Sequence, residues 1–154
     1  MSTTKAVPLQ LRLERVIRAD RERAFAAWTQ PEFLRQWAAP EGMTIEAGGE
    51  LDLRVGGRWR VVMVDPSGTR HEAFGTYREI TPPARLVYTH AWREGNGSTP
   101  ETTVTVEFLA VAGGTRVVLT QEGFASPQSR DGHVQGWSSS LDQLQRLFTE
   151  GNGA

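Results

Sequence analysis

The chain has 154 residues, of which 38% are hydrophobic and 23% charged, a balance that suits one globular domain with a real core and argues against disorder. The formal net charge is only −1, and the arginines are scattered from Arg12 to Arg146 with Lys5 as the single lysine; no basic block marks a nucleic-acid partner. There is no cysteine, which excludes disulfides, thiol nucleophiles and Cys-containing metal sites.

Leu9, Leu11 and Leu13 alternate with Gln10, Arg12 and Glu14, which predicts a half-buried strand ending near Ile17. Asp20 suits the cap of a helix with Ala24, Phe25, Ala27 and Trp28 on one side. Pro31 suits the first turn of a second short helix running to about Trp37. From Ala38 to Gly49 the glycines and Pro40 predict a loop or an irregular approach to the sheet. Leu51–Val55, Gly56-Gly57 and Arg58–Val64 read as a hairpin, with a turn at Asp65-Pro66-Ser67-Gly68. Further strands are expected over about His71–Ile80, Arg85–Trp92, Thr102–Val111 and Thr115–Glu122, with a polar loop at Gly95–Pro100. Ser126-Pro127 opens a last helix, and Val134, Trp137, Leu141, Leu144 and Phe148 recur along it at helical spacing.

A sheet of hairpins with one apolar face needs a cover, and the last helix carries a matching stripe. The expected class is therefore α+β: a curved antiparallel sheet around a long C-terminal helix, with two short helices after the first strand. One domain is expected over residues 9–150, with tails at 1–8 and 151–154. Met1–Lys5 lacks the apolar run of a signal peptide, and no apolar stretch is long enough to cross a bilayer. A cytoplasmic location without membrane insertion is expected.

Alternation places Trp59, Val61 and Met63 on one strand face, and Leu86, Tyr88, His90 and Trp92 on another. Val104, Val106 and Phe108 share a third, and Gln121 shares a face with Val117 and Leu119. His71 and Glu79 share a face with Tyr77 by parity. His71, His90 and His133 lack the paired helical spacing of a zinc site. No metal and no cofactor are expected, although His90 and His133 would meet if one faces inward and the other lies on the last helix. The glycine pairs lack the Lys-Ser/Thr of a phosphate loop, and Ser138-Ser139-Ser140 is not a nucleophile elbow.

Glu50–Trp59 (ELDLRVGGRW), Gly75–Trp92 (GTYREITPPARLVYTHAW), Thr115–Phe124 (TRVVLTQEGF) and His133–Trp137 with Leu141 and Leu144 occur in this order. Together with Trp28–Glu32, they resemble the SRPBCC superfamily, in the branch named after the activator of the heat-shock-protein-ninety ATPase. The resemblance runs from about Leu11 to Phe148 and implies a helix-grip fold with a cavity between sheet and helix. The superfamily includes lipid carriers, plant hormone receptors and aromatase/cyclases.

The leading expectation is a non-enzymatic module that binds a small hydrophobic or amphipathic molecule, as a monomer or homodimer. The expected lining is Trp37, Trp59, Val61, Met63, Tyr77, His90, Trp92, Phe108, Gln121, Trp137 and Leu141. The small residues Gly136 and Ser140 on the gripping helix would leave the space. Two alternatives are a cyclase or hydrolase using Tyr77, His90 or Gln121, and an interaction domain for a chaperone or stress partner. Converging polar groups in a deep cavity would favour the enzyme; a closed core with a large exposed apolar patch would favour the interaction domain.

Overall fold

The first strand, β1 (Gln10–Ile17), ends just before Asp20, whose carboxylate accepts from the Arg23 N–H at 2.9 Å and caps α1 (Arg21–Thr29). Such a cap satisfies one of the backbone donors that a helix start leaves free. The computed structural model describes residues 9–47 and 49–149, so the expected tails lie outside the described residues. Pro31 takes the first position of α2 (Pro31–Leu34), which stops a turn earlier than the sequence suggests. Trp37 then leaves the helix and buries its ring against Trp28, with Nε1 donating to the Ala27 carbonyl at 2.9 Å.

The remaining strands are β2 (Thr44–Ile45), β3 (Glu50–Leu51), β4 (Arg58–Val64), β5 (Arg70–Thr81), β6 (Arg85–Glu94), β7 (Gly97–Ser98), β8 (Thr102–Val111) and β9 (Gly114–Glu122). They form one antiparallel sheet in the order β1-β9-β8-β6-β5-β4-β2, with β3 also pairing β4 and β7 pairing β6. Two of these were not foreseen: β2 lies in the expected loop, and β7 folds back in the polar turn after β6. Of the expected strand over Leu51–Val55 only Leu51 is in a strand, the two-residue β3. Beyond Leu51 the chain turns, with the Arg54 N–H bonded to the Asp52 carbonyl, and Leu53 and Val55 are left exposed.

The sheet curls where β5 crosses β6. A Cβ on Gly75 would lie 1.9 Å from the Thr89 carbonyl oxygen, so only glycine permits this approach. Two residues later the register shifts between Tyr77 and Glu79, a bulge that reverses parity along the strand. Glu79 therefore does not share the face of His71 and Tyr77. It points outward to Arg85, while Ile80 packs against the core.

The last helix, α3 (Pro127–Thr149), opens with the Ser126 hydroxyl accepting from the Ser129 N–H at 3.1 Å. Its C-terminal half is core: Leu141, Leu144 and Phe148 are buried, and Phe148 meets Phe33 at 5.5 Å. Burying such a side chain contributes about 1.5–3 kcal/mol. The result is an α+β helix-grip fold in which the curved sheet wraps the helix. Among the described residues, no helix is long and apolar enough to cross a membrane.

Candidate functional site

The N-terminal half of α3 is not packed down in the same way. Ser129, Gly132, His133, Gly136, Trp137 and Ser140 follow one another at helical spacing and line a cavity of about 690 Å³. Its floor is the concave face of the curled sheet, where alternation turns every second side chain inward. β4 contributes Trp59, Val61 and Met63, β5 contributes Ala73 and Tyr77, and β6 contributes Tyr88, His90 and Trp92. Trp28, Leu34, Trp37, Ala38, Pro40 and Met43 close one end. The volume falls in the range of small-molecule sites, which are mostly apolar with a few placed polar groups.

The other end is charged and exposed. Asp65, Arg70, His71, Arg93, Glu94 and Gln128 line it. Asp65 accepts from His71 Nε2 at 3.0 Å and from the Ser67 hydroxyl and the Ser67 and Thr69 backbone N–H groups. These bonds, His71 first, hold its carboxyl well below the usual range. Arg70 forks onto Glu46 at 2.7 and 3.0 Å, and Arg93 reaches Glu72 at 3.2 Å while stacking over Phe74. The hydrogen bond from Arg70 lowers the Glu46 carboxyl; Arg60 and then Arg93 do the same to Glu72.

Away from that end no charged side chain lines the cavity among the described residues, and its polar atoms fall into two groups. One group is satisfied within the protein. Trp59 Nε1 donates to the Thr89 carbonyl at 2.9 Å, and Ser140 Oγ donates to the Ala38 carbonyl at 2.9 Å. His133 Nδ1 donates to the Ser129 carbonyl at 2.7 Å, and its Nε2 accepts from Trp92 Nε1 at 2.9 Å. A carbonyl can only accept and an indole N–H can only donate, so these partners assign the His133 proton to Nδ1. The second group is Trp28, Tyr77, Tyr88 and His90. All four are buried; Trp28 Nε1 has no partner in hydrogen-bond geometry, although its indole lies close enough to act on the Tyr88 hydroxyl.

Burial raises both tyrosine hydroxyls above their ordinary pKa, with Asp52 adding to the effect at Tyr77 and Trp28 opposing it at Tyr88. Burial also pulls His90 down to about 3, with His133 adding to the shift. The tyrosines are therefore protonated and His90 is neutral at ordinary pH. His90 and His133 do meet, with ring centroids 5.9 Å apart. Among the described residues no group of three or more His, Cys, Asp or Glu could hold a metal ion.

Of the expected lining, Trp37, Trp59, Val61, Met63, Tyr77, His90, Trp92 and Trp137 face the cavity. Three expected residues do not. Phe108 lies beneath α1, edge-on to Phe25 at 5.4 Å and Trp28 at 5.6 Å. Leu141 is one turn past Trp137, where α3 has already closed on the core. Gln121 is fully buried behind the wall: its Oε1 accepts from Trp137 Nε1 at 2.7 Å and its Nε2 donates to Thr102 Oγ1 at 2.8 Å. It orients Trp137 rather than facing the space. The lining residues left out included Trp28, Tyr88 and His133. Alternation with His90 already marked Tyr88, whereas Trp28 reaches the cavity through helix docking that no local pattern records.

A family profile described as Activator of Hsp90 ATPase homolog 1-like protein matches residues 18–149. Among solved structures, an AHSA1 protein from Silicibacter pomeroyi superposes with a TM-score of 0.84 at 28% identity, covering 92% of this chain and 98% of its own. A Chromobacterium violaceum protein gives 0.81 at 30% identity, with coverage of 90% and 96%. A Rhizobium leguminosarum protein gives 0.78 at 32% identity, with coverage of 94% and 95%. Comparison with curated proteins gives no match.

Proposed function

The chain belongs to the Activator of Hsp90 ATPase homolog 1-like family, and on that premise we propose that its cavity binds a small hydrophobic or amphipathic molecule. The observation that carries this reading is the half-closed helix. Its C-terminal half packs into the core, while toward its N-terminus the small residues Gly132 and Gly136 leave space between helix and sheet, part of a cavity of about 690 Å³. Protein interiors leave few such voids, and an aromatic-lined space of this size gains affinity from the apolar area it removes from water.

A second reading, a cyclase or hydrolase, draws on the convergence of Tyr77, Tyr88 and His90 in the same space. No hydrogen-bonded nucleophile–base pair joins them, so binding is the better reading. Native mass spectrometry of freshly purified protein tests both. Binding predicts a co-purified apolar molecule, or saturable uptake of aromatic or fatty-acyl probes that are recovered unchanged. Recovery of an altered probe would move the assignment to the enzyme. No adduct and no saturable response across a broad panel would leave the interaction domain as the better account.

A further inference from the structure

We infer that the guest of this cavity carries an uncharged oxygen function, a hydroxyl or a ketone, which is received at the buried end by Trp28, Tyr77, Tyr88 and His90. The inference rests on the binding reading above and names the chemistry of what is bound.

All five tryptophans line the cavity. Four of them give their indole N–H to a protein acceptor: Trp37 to Ala27, Trp59 to Thr89, Trp92 to His133 and Trp137 to Gln121. Trp28 is the exception. It is 3% exposed, and its Nε1 is buried without a partner. Buried donors are paired in nearly all native structures, so an orphan facing a cavity calls for an acceptor from outside.

Three further buried polar side chains lie next to that N–H. Tyr88 lies beside Trp28, close enough for the indole to act on its hydroxyl but not in hydrogen-bond geometry. Tyr77 is the register partner of Tyr88, with ring centroids 6.3 Å apart. His90 follows two residues along the same face of β6, and Trp59 touches both it and Tyr88 at 5.5 Å. Three elements thus bring four buried polar side chains together in one apolar space.

Their chemistry limits the guest. An indole N–H only donates, so the atom opposite it must accept. Each tyrosine hydroxyl and the neutral imidazole can both donate and accept, which suits a hydroxyl or carbonyl oxygen. A carboxylate would be buried there without a cation, because the arginines are at the other end and already paired with Glu46 and Glu72. An ammonium group would leave the Trp28 donor unpaired and facing a positive charge. The rest of the guest remains apolar, as the lining requires.

A matched naphthyl series tests the inference: naphthalene, β-naphthol, methyl naphthyl ketone, naphthoate and naphthylmethylamine, titrated at neutral pH by calorimetry. The Trp28 indole N–H is followed in parallel by NMR. The phenol or the ketone should bind about tenfold or more tightly than naphthalene and than either charged probe, as expected for one or two satisfied hydrogen bonds. That same probe should move the Trp28 resonance. Tyr88→Phe should reduce the ketone-to-naphthalene affinity ratio several-fold; Tyr77→Phe serves the same purpose if that variant does not fold. Equal binding of naphthalene and its oxygenated relatives would overturn the inference while leaving a ligand site in place, as would tightest binding of naphthoate or the amine. Failure of every probe to bind would remove the binding reading itself and the inference with it.

Discussion

His90 carries a pH signature set by its burial. Its folded pKa, about 3, lies below its unfolded value of 6.5, so the unfolded chain binds more protons between those values. Stability therefore rises with pH through this window and is lost as pH falls through it. Between pH 6.5 and about pH 5 the loss should amount to about 1–2 kcal/mol, and His90→Gln should remove that part of the slope. Asp65, Glu46 and Glu72, whose carboxyls are lowered, lose their contribution only below their unfolded values, which lie beneath this range. Denaturant midpoints of parent and variant across the window are the measurement; parallel curves would mean that His90 is hydrated. Gln121 makes a second case at this scale. Gln121→Leu keeps the volume but leaves Trp137 Nε1 without its acceptor, and should cost about 1–3 kcal/mol in urea unfolding.

Within α3, two halves of one helix should answer mutation differently. Leu144 is fully buried, and Leu144→Ala should cost about 2–5 kcal/mol. Trp137 packs against the core but is not fully buried, because one side of it faces the cavity. Trp137→Ala should therefore cost less than its size suggests, and less than Leu144→Ala. Gly132 is the opposite case: a Cβ there would meet nothing within 4 Å, and its backbone is helical. Gly132→Ala should stabilise the protein by about 0.5–1 kcal/mol, because alanine gives up less backbone entropy in a helix. Thermal or denaturant unfolding of these three variants checks the division. A cost at Trp137 equal to that at Leu144 would show that the helix is packed evenly along its length.

For the whole molecule, the cavity links stability to occupancy. A ligand that binds only the folded state at one hundred times its Kd should add about 2.7 kcal/mol. The Gly136 position allows the space to be filled without breaking a hydrogen bond, since a Cβ there has only the Pro40 ring at 3.7 Å within reach. Gly136→Phe should fold, and probes that raise the parent's melting temperature should no longer raise that of the variant. Ser140, the other small residue expected to leave the space, is a poorer choice because its hydroxyl donates to the Ala38 carbonyl.

What the sequence determined by itself was whatever has a short period. Alternation located β4, β5, β6, β8 and β9 within a residue or two, and with them the inward positions of Trp59, Met63, His90 and Trp92. Helical spacing located α3, and Asp20 and Pro31 marked the starts of α1 and α2. The tertiary structure alone decided what depends on distance and curvature. The bulge after Tyr77 turned Glu79 outward, and Gly57 and Asp52 bent away the expected strand over Leu51–Val55. Phe108, Leu141 and Gln121 have the same inward parity as the lining residues, yet helix and sheet have already met where they lie. Trp28 reaches the cavity because α1 docks on β8 and β9, and nothing in its neighbours' spacing encodes that. Periodicity tells which face a side chain takes; only packing tells whether that face meets another element or open space.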